Sequence, residues 1–413
     1  MKAEIISIGD ELLIGQVVNT NASWMAKKLN DAGIPIHQIT VIPDQKERIV
    51  TSLEEALKHV DLVIFTGGLG PTRDDITKLT LCEFFKSRLV LNDDVLSDIH
   101  KLFGGRGLDL NELNRKQAEV PDNCIPIRNK NGTAPGMWFE QNGKIVVSLP
   151  GVPYEMEPMI ADFVIPEISK KFSGQAIIHR TVLTQGIPES RLAKLIEDWE
   201  DNLPQNIKLA YLPKPGIVRL RLSAIGKSKP ELEAQIDSEI KKLKKIIPKA
   251  IFGFDDDELG EVVGWLLRNR GQTISTAESC TGGYIAHLIT SITGSSAYYK
   301  GSVVAYANEI KENMLGVSGK DLENFGAVSE EVVIQMAEGV KNRFQTDYSI
   351  ATSGIAGPSG GTPEKPVGTT WIAISTPEKT FAKIFSFGEH RERNIIKTAQ
   401  TALNMLRKEI STD

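Results

Sequence analysis

Three side chains able to act as nucleophiles stand in consecutive positions in Ala277-Glu278-Ser279-Cys280-Thr281-Gly282-Gly283. A β-branched run, Thr273-Ile274-Ser275-Thr276, precedes them, and Tyr284-Ile285-Ala286-His287-Leu288-Ile289 follows. That order predicts a strand, a tight glycine turn and a helix. Such a turn places a nucleophile among backbone N–H groups at a helix N-terminus, where negative charge is favoured. A serine needs a base. His287 lies two helical turns past Ser279, too far along the axis to reach it, and His390 sits in a polar loop. A desolvated lysine is the other candidate, because burial lowers its affinity for a proton. Lys300 and Lys311 flank an apolar strand, and all three bases stay open on this reading. Ser353-Gly354-Ile355-Ala356-Gly357-Pro358-Ser359-Gly360-Gly361 follows another expected strand and offers backbone donors to a phosphate or an oxyanion.

A second chemical cluster lies near the other end. Short apolar strands are expected at 3–8, 36–41, 62–65 and 145–149, with helices at 21–31, 46–58, 76–85 and 93–102. Strand and helix in alternation imply a largely parallel sheet covered on both faces, and such sheets bind ligands beyond the carboxyl ends of their strands. Three post-strand segments therefore converge: Gly9-Asp10-Glu11-Leu12-Leu13-Ile14-Gly15, Thr66-Gly67-Gly68-Leu69-Gly70-Pro71-Thr72-Arg73-Asp74-Asp75, and Pro150-Gly151-Val152-Pro153-Tyr154-Glu155-Met156. Thr66, Gly67, Gly68 and Gly70 let backbone N–H groups approach a phosphate, and Arg73 adds positive charge. Ser148 and Gly151, from the last strand and its turn, join the substrate contacts. Asp10, Glu11, Asp74 and Asp75 supply hard oxygen ligands for a divalent cation such as Mg, Co, Ni or Mn.

The elements around these clusters set the domain plan. The 413 residues exceed one ordinary core. The texture changes twice, giving domains at 1–170, 171–252 and 253–413. The middle one is a small α+β module, with strands at 179–183, 207–211 and 218–224 and helices at 188–198 and 231–246. The last carries strands at 303–307, 348–352 and 369–375 and a helix at 259–270. Arg219, Arg221 and Lys241-Lys242-Leu243-Lys244-Lys245 raise RNA binding, but no G-x-x-G loop joins two helices there. The net charge of −5 and an aromatic content of 6% argue against a nucleic-acid platform. Three dispersed cysteines, Cys82, Cys124 and Cys280, argue against a disulfide framework and for a reducing cytoplasm. No apolar run reaches the roughly 20 residues that span a bilayer.

The motifs also carry a resemblance. Gly-Asp-Glu-Leu-Leu-x-Gly, Thr-Gly-Gly-Leu-Gly-Pro-Thr-x-Asp-Asp and Leu-Pro-Gly-Val-Pro-x-Glu-Met resemble the molybdopterin-binding fold in the form found in CinA (competence/damage-inducible) proteins. The C-terminal half continues the likeness with Ala-Glu-Ser-Cys-Thr-Gly-Gly, Val-x-Tyr-x-Asn-Glu-x-Lys, Gly326-Ala327-Val328-Ser329-Glu330, Ser-Gly-Ile-Ala-Gly-Pro-x-Gly-Gly and Lys365-Pro366-Val367-Gly368-Thr369. The fold class it implies is α/β: a doubly wound molybdopterin-binding-like domain, a KH-type α+β linker and a C-terminal α/β amidohydrolase domain.

What the resemblance implies is a bifunctional enzyme of pyridine-nucleotide salvage, cytoplasmic and homodimeric. The C-terminal domain would deamidate nicotinamide mononucleotide (NMN) to nicotinic acid mononucleotide and ammonia without a cofactor. The N-terminal one would hydrolyse ADP-ribose to AMP and ribose 5-phosphate with a divalent cation. Carried onto this sequence, Ser279 is the nucleophile and Lys311 the base. Tyr306 and Thr281 are polar helpers, and Arg391 resembles the family's arginine. Gly282, Gly283, Ser353, Gly354 and Gly357 line the substrate. Two departures stand out: Asn19-Thr20-Asn21 replaces the family's Asp-Thr-Asn, and Gly388-Glu389-His390-Arg391-Glu392 holds one residue more than its Gly-Asp-Arg-Glu. Two rival readings are a molybdenum-cofactor enzyme binding a pterin in the first pocket, and a non-catalytic accessory of DNA uptake or repair.

Overall fold

Strand β1 (Ala3–Ile8) opens a six-stranded sheet of order β2-β1-β3-β8-β7-β6, with β2 at Ile36–Ile42, β3 at Leu62–Thr66, β6 at Ile125–Ile127, β7 at Gly136–Gln141 and β8 at Lys144–Leu149. The computed structural model describes residues 1–72, 74–104, 112–172 and 176–412. It divides into two compact units, Met1–Ile178 with Ala224–Glu233, and His179–Ser223 with Ala234–Asp413. In the first, β1, β2, β3 and β8 run parallel. Every residue of β1 and β3 is buried, as strands covered on both faces require.

Alternate side chains feed two cores. Ile5, Ile64 and Val147 meet Met25 and Leu29 on one face, and Ile6, Val63 and Phe65 meet Ile49 and Leu53 on the other. Strand β7 joins β8 antiparallel through Asn142-Gly143, both at positive φ (52° and 75°). That is the signature of a tight two-residue hairpin, and it extends the sheet past the four strands expected. A separate ribbon pairs β4 (Leu89–Leu91) with β5 (Glu119–Pro121).

Strands β9 (Ala176–Gln185), β10 (Ile207–Lys214), β11 (Ile217–Gly226) and β12 (Ile251–Phe254) form a sheet of order β10-β11-β9-β12. Leu220 and Leu222 are buried while Arg221 between them is exposed, the alternation its sequence announces. The last sheet has the order β14-β13-β15-β16-β17, from β13 (Ile274–Glu278), β14 (Tyr299–Val304), β15 (Tyr348–Gly354), β16 (Thr369–Ser375) and β17 (Thr380–Ser386). Here the expected strand at 303–307 is corrected: β14 ends at Val304, and the chain turns at Ala305 to enter the helix Asn308–Leu315. Among the described residues no helix is long and apolar enough to cross a membrane.

The helix Glu330–Phe344 packs Val332, Val333, Met336 and Val340 into the core beneath β13 and β15. It approaches the end of Asn308–Leu315 so closely that a Cβ on Gly339 would collide with the Leu315 carbonyl. Helix propensity alone makes Gly→Ala stabilising by about 1 kcal/mol. At Gly339 overpacking reverses the sign, and Gly339→Ala is expected to lower stability by about 1–3 kcal/mol in urea unfolding.

Candidate active site

The C-terminal cluster is built on β13, flanked by β14 and β15 in parallel register. At its carboxyl end the Ser279 N–H donates to Thr352 O at 3.0 Å, and Gly282 and Gly283 turn the chain at φ 59° and 95°. The helix Tyr284–Thr290 then begins. Ser279 is half-buried, whereas Cys280 and Thr281 are buried. Burial pushes the Cys280 thiol up to about 12, which leaves it a poor thiolate. Thr281 Oγ1 pairs with Thr352 Oγ1 at 2.8 Å.

Lys311 is 1% exposed. Its Nζ donates to Ala305 O at 2.8 Å and Tyr306 O at 3.3 Å. Burial holds its proton affinity below the ordinary lysine range, with Cys280 the neighbouring titratable group. A neutral amine has two N–H bonds and one lone pair. The two carbonyls accept from this amine, while burial disfavours its charged form. No hydrogen bond joins Lys311 to Ser279 among the described residues. Resting geometry of this kind is often looser than the reacting complex. Lys300 and His390, the other candidate bases, are both exposed. His287 is exposed and stacks on Tyr284.

Arg391 reaches back from the last helix. Its Nη1 donates to Gly357 O at 2.8 Å and its Nη2 to Tyr306 Oη at 3.1 Å, which brings these three predicted residues together. Ser353 is turned to another use: its hydroxyl donates to Ala327 O at 2.6 Å. Gly354 closes β15 opposite Thr370.

Two residues at this site escape the sequence reading. Glu278, fully buried, accepts from the N–H groups of Gly283 (3.1 Å), Ile285 (3.0 Å) and Ala286 (2.8 Å). The expectation that this helix start receives a substrate's negative charge is thereby corrected, because the chain supplies the carboxylate itself. The Gly283 N–H is engaged, and so is that of Ile355, which donates to Thr369 O at 2.8 Å. Asn394 is 1% exposed and donates through Nδ2 to Ala356 O and Gly388 O, fixing the loop that Arg391 also holds. A polar residue one turn after Arg391 was the available signal.

The N-terminal segments line a cavity of about 480 Å3. Gly67, Gly68, Gly70, Gly151, Glu11, Asp74 and Asp75 all border it, as expected. Glu155, from the third converging segment, borders it too, and so does Asp44, which was not anticipated although it occupies the same post-strand position after β2. Burial, then the charges of Asp10, Glu11 and Asp75, raise the Asp44 carboxyl above the usual range. Glu155 is held by Asn129 Nδ2 at 2.7 Å. Asp75 accepts from the Thr72 N–H at 3.1 Å and from its hydroxyl. Asp10 is exposed and stands outside the lining, as do buried Thr66 and Ser148. Thr66 Oγ1 instead donates to Pro150 O at 3.1 Å. Arg73 lies outside the described residues.

Asn19, at the departure from the family pattern, caps the helix Thr20–Asp31 by accepting from Ala22 N at 3.1 Å. Asparagine does this as well as aspartate. Asn21 Nδ2 donates to Gly151 O at 2.6 Å.

Among the described residues no three acidic, histidine or cysteine side chains converge into a metal cage. The donor set fits an ion shared with phosphate, since magnesium-like ions take one or two carboxylates and fill the remaining positions with substrate oxygens and water. The cradle fits the phosphate. A Cβ on Gly68 would strike Thr77 Oγ1, which is buried and has no hydrogen-bond partner among the described residues, and come within 3.3 Å of Asp44 Oδ1.

A doubly wound α/β domain, a KH-type module and a second α/β domain with a buried-lysine site together define a modular class. Family models match in that order: "Probable molybdopterin binding domain" over residues 4–170, "Damage-inducible protein CinA KH domain" over 179–253, and "CinA C-terminal domain" over 256–410. A CinA-like protein of Flavobacterium psychrophilum is 49% identical over 412 residues, covering 99% of each chain. A competence-damage inducible protein of Caldicellulosiruptor saccharolyticus is 42% identical over 416 residues, again covering 99% of each. Among solved structures, a competence/damage inducible protein of Agrobacterium tumefaciens is 39% identical over 37% of this chain and 93% of its own, with a TM-score of 0.36. The chain belongs to the CinA family.

Proposed function

We propose that the C-terminal site deamidates NMN and that the N-terminal site hydrolyses ADP-ribose. The observation that carries the first reading is Lys311: a buried amine with a depressed proton affinity, whose neighbouring titratable group is Cys280, next in the chain to a half-buried serine at a strand end. A lysine whose proton affinity is lowered by burial is better able to act as a general base than an exposed one. Ser279 Oγ attacks the carboxamide carbon and its proton passes to Lys311 Nζ. The carbon–nitrogen bond then breaks, and the ammonium returns the proton to the departing nitrogen, releasing ammonia. Water attacks the resulting ester with Lys311 again as base. Nicotinic acid mononucleotide leaves and Ser279 regains its proton. Arg391, fixed by Tyr306 and Gly357, is the cation that the anionic nucleotide meets at the rim.

In the first unit one or two of the carboxylates Glu11, Asp44 and Asp75 would hold the cation together with substrate oxygens, and Gly67–Gly70 would cradle the pyrophosphate. When bound, the cation neutralises phosphate charge and lowers the pKa of water. The carboxylates of Asp74 and Glu155 border the same cavity and orient water or ribose hydroxyls.

One experiment separates the two activities. With exhaustive chelation of the full-length protein, ADP-ribose turnover is expected to stop and ammonia release from NMN to continue unchanged. ADP-ribose turnover that survives chelation contradicts the first-unit reading, and deamidation that stops with it contradicts the second.

A further inference from the structure

Neither reaction uses a cavity of about 610 Å3 that opens within the second unit between the 179–223 segment and the C-terminal sheet and helix. Its volume falls in the roughly 300–1,000 Å3 range of small-molecule sites. One wall is aromatic: Phe381 and Phe385 come from β17 and Phe387 from just beyond it. The Phe385 and Phe387 rings lie parallel to within 5°, with centroids 5.5 Å apart. Pro213 and Ile217 of the β10–β11 hairpin also line it. A flat apolar lining of this kind favours a flat apolar ring.

The polar part is already ordered. Gln185, Thr401 and Asn404 are 5%, 8% and 2% exposed. Gln185 Nε2 donates to Thr401 Oγ1 at 3.2 Å, and Asn404 Nδ2 donates to Gln185 Oε1. Such preformed amide and hydroxyl groups fix a ligand's orientation.

The lining is cationic. Lys214, Lys383, Lys397 and Lys408 face two carboxylates, Glu189 and Glu409, and Glu409 stands 3.0 Å from Lys379. The exposed ammonium groups of Lys214 and Lys383 have no hydrogen-bond or ion-pair partner among the described residues. The Lys408 ammonium is held below the usual lysine range, first by burial and then by the charges of Arg407, Lys383 and Lys249. An anion placed here relieves that repulsion. Lysines without arginine suit a multiply charged phosphate recognised as a point charge.

We propose that this cavity binds a planar aromatic phosphate of the mononucleotide class, ring on the phenylalanine wall and phosphate among the lysines.

The test is photolabelling of the full-length protein with 8-azidoadenosine 5′-monophosphate at low salt, with labelled peptides located by mass spectrometry. Labels are expected in 381–387 and 397–409, and unlabelled AMP should compete where equimolar inorganic phosphate does not. Lys214→Glu combined with Lys383→Glu, at exposed positions that leave the core untouched, should cut those labels by about fivefold or more. Labels in 67–75 should be unchanged by that pair. Labelling confined to 67–75 or 277–311 overturns the proposal. Cavity labels that survive charge reversal, or that inorganic phosphate displaces equally, overturn it too.

Discussion

Replacing Lys311 by methionine is expected to lower NMN deamidation by about 10²–10⁴-fold, the usual contribution of a general base. Methionine keeps the buried stem volume and removes only the amine, so a loss of this size reads out proton transfer rather than a cavity. The pH dependence has a definite sign. The folded Lys311 binds its proton less tightly than the unfolded chain does, and only the neutral amine accepts the proton of Ser279. Turnover should therefore climb with pH through the depressed folded value of Lys311.

Stability moves in the same direction. Between the folded value and the higher unfolded one, the unfolded chain carries the proton and the folded chain does not, so stability rises with pH across that window. Below the folded value the buried charge weighs on the fold in full, and above the unfolded value the penalty is gone. In Lys311→Met this component is absent, so its stability–pH curve should be flatter over that window. Parallel curves for the two proteins in denaturant titrations would remove the depressed lysine from the account.

The second large effect is at Glu278. Glu278→Ala strips the acceptor from three N–H groups at the start of Tyr284–Thr290, one of them, Gly283, on the turn that holds Ser279. Each buried donor left alone costs about 1–3 kcal/mol. A loss of about 3 kcal/mol or more is therefore expected in urea unfolding, with deamidation falling in parallel as the serine turn loosens. Glu278→Gln keeps one acceptor oxygen but turns an NH2 group toward the remaining N–H donors, so it should fall between alanine and wild type. Full stability in Glu278→Ala would show that the turn holds itself without the carboxylate.

The architecture was legible where local signals were strong. Buried strands such as Leu62–Thr66 announce themselves as unbroken apolar runs, and Arg219-Leu220-Arg221-Leu222 as strict alternation. Boundaries were harder. β14 begins four residues before the expected strand, because Tyr299-Lys300-Gly301-Ser302 is too polar to look like a strand, yet it pairs along β13 at the sheet edge. The Asn142-Gly143 pair between β7 and β8 carries a strong hairpin signal in the sequence itself.

At the sites, the candidate nucleophile and the candidate bases stood out because their residue types are few. Their supports did not. Glu278 sits inside the most conspicuous motif, but a carboxylate serving backbone donors five to eight residues ahead cannot be told from a solvated one by sequence position. Asp44 reaches the first cavity from the end of β2, and only the register of the sheet brings it close to Gly68. Asp10 went the other way, being adjacent in sequence to Glu11 but outside the lining.

Ammonia release from NMN by the full-length protein, compared with Ser279→Ala and Cys280→Ala, addresses the central assignment. The buried, poorly ionised Cys280 and the accessible Ser279 predict a loss of about a thousandfold or more in Ser279→Ala, with Cys280→Ala within a few-fold of wild type. Near-native turnover in Ser279→Ala together with an inactive Cys280→Ala would transfer the nucleophile to the thiol. No ammonia from the wild-type protein would remove the amidohydrolase reading itself.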